Sequence, residues 1–141
     1  MPVRTYDPAL VTWIWGGEIA TGFAEDTAIS VEMMSDAWAD QAGVDGSVSR
    51  SRSNDYRGTV TVNLSQSSPT NDKYQALHNA DLLTGLGASP GLLRDASGRT
   101  IITGDSGWIV KAPPAEFGRS LSNRQWVIRF AHLVMAIGGN S

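Results

Sequence analysis

Residues 57–72, RGTVTVNLSQSSPTND, decide the fold because a strand pattern passes directly into a helix start. From Gly58 to Ser65 apolar and polar side chains alternate, and this period of two is typical of a strand with one buried face. The expected inward set is Val60, Val62 and Leu64, and the outward set is Thr59, Thr61 and Asn63. Ser68 and Pro69 then supply an N-cap and a first-turn proline, so a helix is expected to follow the strand.

The predicted helix runs from about Pro69 to Thr84, and Gly85 ends it. Its expected buried stripe, at helical spacing, is Ala76, Leu77, Ala80 and Leu83. Because the rest of the chain favours strands, we expect this single helix to lie on the sheets.

Four further strands are predicted from alternating patterns on either side of this unit. They are Leu10 to Trp15, Ala28 to Met34, Thr100 to Thr103 together with Gly107 to Ala112, and Arg124 to Ile137. In the last strand, the side chains expected on the apolar face are Trp126, Ile128, Phe130 and Val134. A tight turn is expected at residues 95–98. The predicted fold class is therefore mainly β, an antiparallel β-sandwich or barrel flanked by one α-helix, in a single domain over residues 1–141.

The segment from Ser35 to Asp55 fits neither a strand nor a helix pattern. It places Trp38 between Asp36 and Asp40 and contains several glycine and serine breaks. Long structureless stretches in compact domains are usually functional or disordered, and a disordered tail rarely carries a tryptophan between two strands. We therefore expect an extended arm at about residues 35–55 that becomes ordered against another molecule.

Charge is distributed unevenly along the 141 residues, whose formal net charge is −3. Eight acidic residues and no basic residue lie between Thr5 and Ser49, whereas six bases and three acids follow from Arg94 onward. A chain of this kind can complement a copy of itself head to tail, or its two regions can neutralise each other within one subunit. A basic cluster is formed by Arg50, Arg52 and Arg57. The absence of a basic excess favours a protein contact over nucleic-acid binding for this cluster.

No catalytic, cofactor or metal site is predicted. Residues 104–107, GDSG, match the tetrapeptide around the nucleophile of trypsin-like proteases, but neither His78 nor His132 lies in a context that would supply its base. We expect a hairpin turn there instead. The chain has no cysteine, and Asp36, Asp40 and Asp45 lack the spacing of a calcium loop. No apolar run approaches the roughly 20 residues that span a bilayer, so no membrane insertion is expected.

The order of these features resembles the tail tube proteins of tailed bacteriophages, in particular the small structural-protein family of contractile-tailed phages. The resemblance covers Thr27 to Asp72, GWIVKAPP at 107–114 and QWVIRFAHLVMAIGG at 125–139. It implies a virion tail protein, assembled in the host cytoplasm, that forms six-membered rings stacked into a hollow tube for DNA passage. One sheet of each subunit would join a continuous β-barrel around the lumen. The implied partners are other copies of the chain, a sheath outside, a baseplate hub and a tail terminator at the ends, and the tape measure protein and DNA transiently in the lumen.

Two sets of residues receive roles under this hypothesis. Contacts between subunits are expected at Asp36, Trp38, Asp40, Arg50, Arg52 and Arg57. A neutral lumen face is expected at Thr59, Thr61 and Asn63. The alternative function is a soluble β-sandwich that binds carbohydrate or another ligand, with Trp38 and Trp108 as stacking platforms. A tube without a contractile sheath, or one from a phage-like secretion machine, also stays open.

Overall fold

The structure, a computed structural model, describes residues 3–25 and 27–139. Within these residues a 3-10 turn at Pro8–Leu10 precedes ten β-strands and one α-helix. The strands are β1 (Val11–Trp15), β2 (Glu18–Ile19), β3 (Ile29–Met33), β4 (Trp38–Ala42), β5 (Val48–Arg52), β6 (Gly58–Ser65), β7 (Ser89–Asp95), β8 (Ile101–Lys111), β9 (Asn123–Phe130) and β10 (Leu133–Ala136). The helix α1 spans Thr70–Thr84.

Eight of these strands form one antiparallel sheet in the order β2-β1-β7-β8-β9-β6-β3, with β10 also paired to β8. The predicted mainly β fold with an antiparallel sheet and one helix is confirmed. β6 begins and ends where the alternation predicts, and its inward side chains Val60, Val62 and Leu64 are completely buried. The turn predicted at residues 95–98 is also present, closed by a hydrogen bond from the Gly98 N–H to the Asp95 carbonyl.

β8 runs without interruption through residues 104–107, so the hairpin turn predicted there is wrong. Gly104 pairs with Gly91 of β7 and Gly107 pairs with Ser89, so β8 has one more residue than its partner over this stretch. An extra residue of this kind is a β-bulge, which bends a strand without reversing it. The two glycines therefore mark a kink in one long strand.

The long strand predicted from Arg124 to Ile137 is broken at Ala131 and His132 into β9 and β10. Both pieces pair with β8, and the Ala131 N–H donates to the Ser106 carbonyl at 3.0 Å, so the break lies beside the bulge. After the break, the more buried residues fall on odd-numbered positions instead of the even-numbered positions that are buried in β9. Leu133 is buried and Val134 is 54% exposed, so the expectation that Val134 faces the core is wrong.

Phe130 is completely buried at the centre of the kinked sheet. A Cβ atom placed on Gly91, Gly104 or Gly107 would lie within 3.0 Å of its ring. The Trp13 ring meets Phe130 edge to face, with centroids 6.0 Å apart. The three glycines thus leave the space that this aromatic ring fills.

The helix α1 covers the core with a different face from the one predicted. Its buried side chains are Thr70 and Tyr74, with Leu77 partly buried, whereas Ala76, Ala80 and Leu83 are exposed. Tyr74 fixes this orientation because its ring meets Trp15 and Trp126 edge to face, at centroid distances of 5.4 and 5.7 Å. The helix begins at Thr70 with Pro69 as its N-cap residue, one position later than predicted, and the Ser68 Oγ accepts from the Thr70 N–H at 3.2 Å. In the part of the chain that the structure describes, no helix has the length and apolar character needed to cross a membrane.

Candidate assembly surface

The segment predicted as an extended arm, at about residues 35–55, contains a β-hairpin. β4 and β5 pair with each other in antiparallel register from Trp38–Arg52 to Ala42–Val48. The connecting turn is closed by a hydrogen bond from the Gly43 N–H to the Ser47 carbonyl at 2.7 Å, and Gly46 adopts a φ of 87°. Asp45 accepts from both the backbone N–H and the hydroxyl of Ser47, and the hydroxyl contact holds the pKa of the Asp45 carboxyl below its usual range.

Every residue of β4 and β5 is exposed, and among the described residues these two strands form a sheet of their own. The sequence gives no strand signal here because strand alternation reflects one buried face, and this hairpin has none. The predicted extended arm is thus a separate two-stranded unit, and its ordering against another molecule stays a prediction.

The register sorts the hairpin side chains onto two faces of different chemistry. One face, which we call the contact face, carries Trp38, Asp40, Ala42, Val48, Arg50 and Arg52. The opposite face, called the reverse face, carries Ala39, Gln41, Ser49 and Ser51. Four of the six residues predicted to contact other subunits thus lie on one surface, whereas the reverse face holds small or neutral side chains.

Two arginines cover the indole of Trp38. The guanidinium carbon of Arg50 lies 3.9 Å from the ring centroid and that of Arg52 lies 5.0 Å from it, which is the range of cation–π contacts. Trp38 remains 40% exposed. Within the described residues neither arginine has a carboxylate within 4.0 Å, so both charges are available to an acidic partner.

The other two predicted contact residues, Asp36 and Arg57, lie at the base of the hairpin. Arg57 donates to both carboxylate oxygens of Asp55, at 2.8 and 2.9 Å, and the Ser35 hydroxyl donates to the same carboxylate at 2.6 Å. These hydrogen bonds hold the pKa of the Asp55 carboxyl well below its usual range, and the bond from Arg57 has the largest effect. The charge of Arg57 is therefore balanced within its own chain, and its contribution to the structure is to fix the hairpin base.

Asp36 lines an open cleft of about 570 Å³ between the hairpin base and the end of β3. Met33, Trp38 and Arg52 lie on its walls. Tyr56, also on the cleft, stacks on His132 with centroids 5.0 Å apart and an interplanar angle of 12°. Because His132 lies at the break between β9 and β10, this stack connects the hairpin base to the kinked part of the sheet.

The predicted lumen residues Thr59, Thr61 and Asn63 lie on the outward face of β6 and are half-buried. Thr59 belongs to a row of directly paired residues that runs across four neighbouring strands. The row consists of Glu32 in β3, Thr59 in β6, Arg129 in β9 and Trp108 in β8. The three predicted residues are neutral, but an acid and a base flank Thr59. The sequence alone does not indicate this row because it depends on the pairing of four strands that are distant along the chain.

The described residues bring together no group of three histidine, aspartate or glutamate side chains that could hold a metal ion. The surface that stands out is a projecting hairpin with an aromatic and cationic face, on a subunit with a single packed core. A surface of this kind is suited to binding another protein, and together with the lack of a described metal cluster it favours a structural protein that binds other chains.

Comparison with known proteins shows the family to which the chain belongs. Residues 15–138 match the family described as bacteriophage PhiTE tail tube protein. The chain is 32% identical over 122 residues to structural protein ORF10 of Pseudomonas phage KPP10, a match that covers 85% of this chain and 70% of that protein. The chain therefore belongs to the phage tail tube family. It is a structural component of a phage tail and of the virion, not an enzyme.

Two solved structures share the fold at low sequence identity. The anti-feeding prophage tube-terminating cap has a TM-score of 0.62 and 7% identity, over 96% of this chain and 93% of the cap. The sheath/tube terminator of the extracellular contractile injection system PVC, in its extended state, has a TM-score of 0.63 and 10% identity, over 97% of this chain and 98% of the terminator.

Proposed function

We propose that this chain forms six-membered rings that stack into a hollow tail tube, through which DNA passes during ejection. Membership of the tail tube family supports a tube subunit. The proposal that rings stack rests on the hairpin of β4 and β5, which is exposed on both faces in a single copy. A two-stranded hairpin is marginally stable in water on its own, so burial of the contact face against another copy would stabilise it.

The contacts within a ring would use the edges of the large sheet. β3 and β2 are the terminal strands of the sheet order, and terminal strands present unpaired N–H and C=O groups that recruit other strands. Pairing between copies around a closed ring would leave no free edge. The resulting barrel would extend the outward face of β6 around the lumen.

The chemistry of that face suits a conduit. Thr59, Thr61 and Asn63 are uncharged and polar, and the net charge of −3 provides no basic excess that would retain DNA. In this arrangement Glu32 and Arg129, on either side of Thr59, add one negative and one positive charge to the face. The polymer would therefore slide through the lumen instead of binding to its wall.

The remaining partners follow from the position of a tube in a tail. Other copies would contact each subunit within and between rings, a sheath would lie outside, and a baseplate hub and a terminator would bind the two ends. The tape measure protein and then DNA would occupy the lumen in turn. Assembly would take place in the host cytoplasm, before the tail joins the rest of the virion.

Negative-stain electron microscopy of the purified chain tests this function. We expect long hollow filaments or stacked rings, with six-fold symmetry in end-on views. Sedimentation over a range of concentrations should show a critical concentration for assembly. A protein that stays monomeric at high concentration would overturn the proposal and favour the ligand-binding alternative. End views with another symmetry would overturn the six-membered ring alone.

A further inference from the structure

The hairpin and an open groove lie at opposite ends of the same pair of strands. The hairpin leaves β3 after Met33 and returns to β6 at Gly58, and these two residues pair with each other. At the other end of the pair, Ile29 faces Val62 and Phe23 forms a bridge with Leu64. A copy displaced along the strand direction would thus carry its hairpin toward the far end of the first copy.

The groove at that far end, which we call the N-terminal groove, has a volume of about 470 Å³. Its walls are mostly apolar and include Pro8, Val11, Phe23, Ala28 and Ile29. The side chain of Glu25 adds a carboxylate at its border. Among the described residues that line it, Glu25 is the acidic one. An open and mostly apolar groove with a carboxylate on its wall suits a small apolar segment that is followed by a cation.

The hairpin tip has this chemistry. Val44 is fully exposed and Val48 is 72% exposed, at either side of the turn. The carboxylate of Asp45, between them, accepts both Ser47 hydrogen bonds through Oδ1, so its charge stays exposed at the tip. The hydroxyls of Tyr6 and Thr27, which also line the groove, could donate to its second oxygen. Arg50 follows Val48 on the contact face, with no carboxylate within 4.0 Å among the described residues. Five residue pairs place the tip about 17 Å from the hairpin base.

We propose that the N-terminal groove of one copy receives the hairpin tip of a second copy of this chain, with Val44 and Val48 in the groove and Arg50 paired with Glu25. The inference rests on the proposed tube function and assigns the receptor surface for its stacking contact. Because the donor and receptor surfaces differ and lie at opposite ends, the contact is head to tail. It repeats without closing, as stacking requires.

Cysteine cross-linking tests this contact directly, because the natural chain contains no cysteine. Two single variants, Val44→Cys and Ala28→Cys, carry tags of different mass and are mixed, assembled and mildly oxidised. We expect a covalent heterodimer in the filament fraction, since a disulfide forms only where the two Cα atoms come within about 7 Å. Val44→Cys mixed with Leu83→Cys is the matched control, because Leu83 is exposed on α1 and does not line the groove.

A charge exchange provides a second and independent measurement. Glu25→Arg should raise the critical concentration for filament assembly about tenfold, because it places a cation beside Arg50 of the next copy. The double variant Glu25→Arg/Arg50→Glu should recover most of that loss. Filaments that form without the Val44–Ala28 cross-link, or Glu25→Arg filaments with unchanged critical concentration, would overturn the groove assignment and leave the tube function intact. Failure of the natural chain to form filaments would overturn the tube function itself.

Discussion

Arg50 lies over the indole ring of Trp38, 3.9 Å from its centroid, on one face of an exposed hairpin. The contact orders both side chains before any partner arrives, which reduces the entropy lost when the surface is buried. It also argues against Trp38 as a carbohydrate platform, because the ring already carries Arg50 and Arg52. The same residues are well suited to a protein interface, where tryptophan and arginine commonly dominate the binding energy.

Replacing Trp38 by alanine should weaken assembly without unfolding the subunit. The hairpin lies outside the core, so we expect unchanged far-ultraviolet circular dichroism and thermal unfolding. Loss of a central aromatic contact costs about 2 kcal/mol at a typical interface. The critical concentration, measured by sedimentation, should therefore rise about 30-fold. Ser49→Ala, on the reverse face, is the control and should assemble normally; normal tubes from Trp38→Ala would remove the anchor role.

Adding a methyl group at Gly104 or Gly107 should destabilise the subunit. The new Cβ would overlap the ring of Phe130, which is buried on all sides. Overpacking of a core typically costs about 1 to 3 kcal/mol. Urea unfolding of Gly104→Ala, Gly107→Ala and the control Gly118→Ala measures the effect, since a Cβ at Gly118 meets no atom within 4 Å. Equal stability of all three variants would show that these glycines do not make room for Phe130.

Removing the hydroxyl of Tyr74 should also destabilise the fold. The Trp13 indole N–H donates to this hydroxyl at 3.1 Å in a buried site, and Tyr74→Phe leaves that donor without its acceptor. The expected loss of unfolding free energy is about 1 to 3 kcal/mol. Urea unfolding followed by circular dichroism measures it, with Tyr56→Phe as a control that keeps its ring stacked on His132. A Tyr74→Phe variant as stable as the natural chain would contradict the role of this hydrogen bond.

The Asp55 carboxylate should make stability depend on pH in the acid range. Arg57 and Ser35 lower its pKa in the folded chain, whereas an aspartate in an unfolded chain has a pKa of about 3.9. The stabilisation is therefore complete above about pH 4 and declines as the pH falls below that value. Asp55→Asn should lower the urea midpoint by a constant amount between pH 5 and 7.

The difference between the natural chain and Asp55→Asn should then shrink toward pH 2.5. Asp105→Asn is the matched control, because Asp105 is an exposed aspartate on β8. A difference that stays constant down to pH 2.5 would exclude Asp55 as the titrating group. Tube assembly of Asp55→Asn, measured in parallel at pH 7, shows whether the hairpin base also affects stacking.

The alternating pattern predicts β6 for a local reason, whereas no predicted strand covers β7, which lies between β1 and β8 in the sheet. In β6 the alternation of Val60, Val62 and Leu64 with polar residues reports the buried face directly. The bulge in β8 and the break before β10 were not predictable, because glycines at residues 104–107 are equally compatible with a turn. Their role becomes clear only when Phe130, distant along the chain, is seen to fill the space above them.

Several residues of the contact face were predictable from sequence, but their arrangement on one face was not. Trp38, Arg50 and Arg52 were identified by residue type and charge, but their common face depends on the hairpin register. No apolar period indicates that register, because the partner that would bury the face is absent from a single copy. On α1 the predicted stripe shares only Leu77 with the packed face, because Tyr74, which contacts three tryptophans, sets the orientation of the helix.

A cryo-electron microscopy map of the assembled chain is the most direct test of the central claim, that a single copy leaves its hairpin to be covered by another. We expect the contact face of β4 and β5 to be buried against a copy in the adjacent ring, with Trp38 shielded from solvent. A map in which the hairpin lies on its own subunit, or extends into solvent without touching another copy, would contradict the claim.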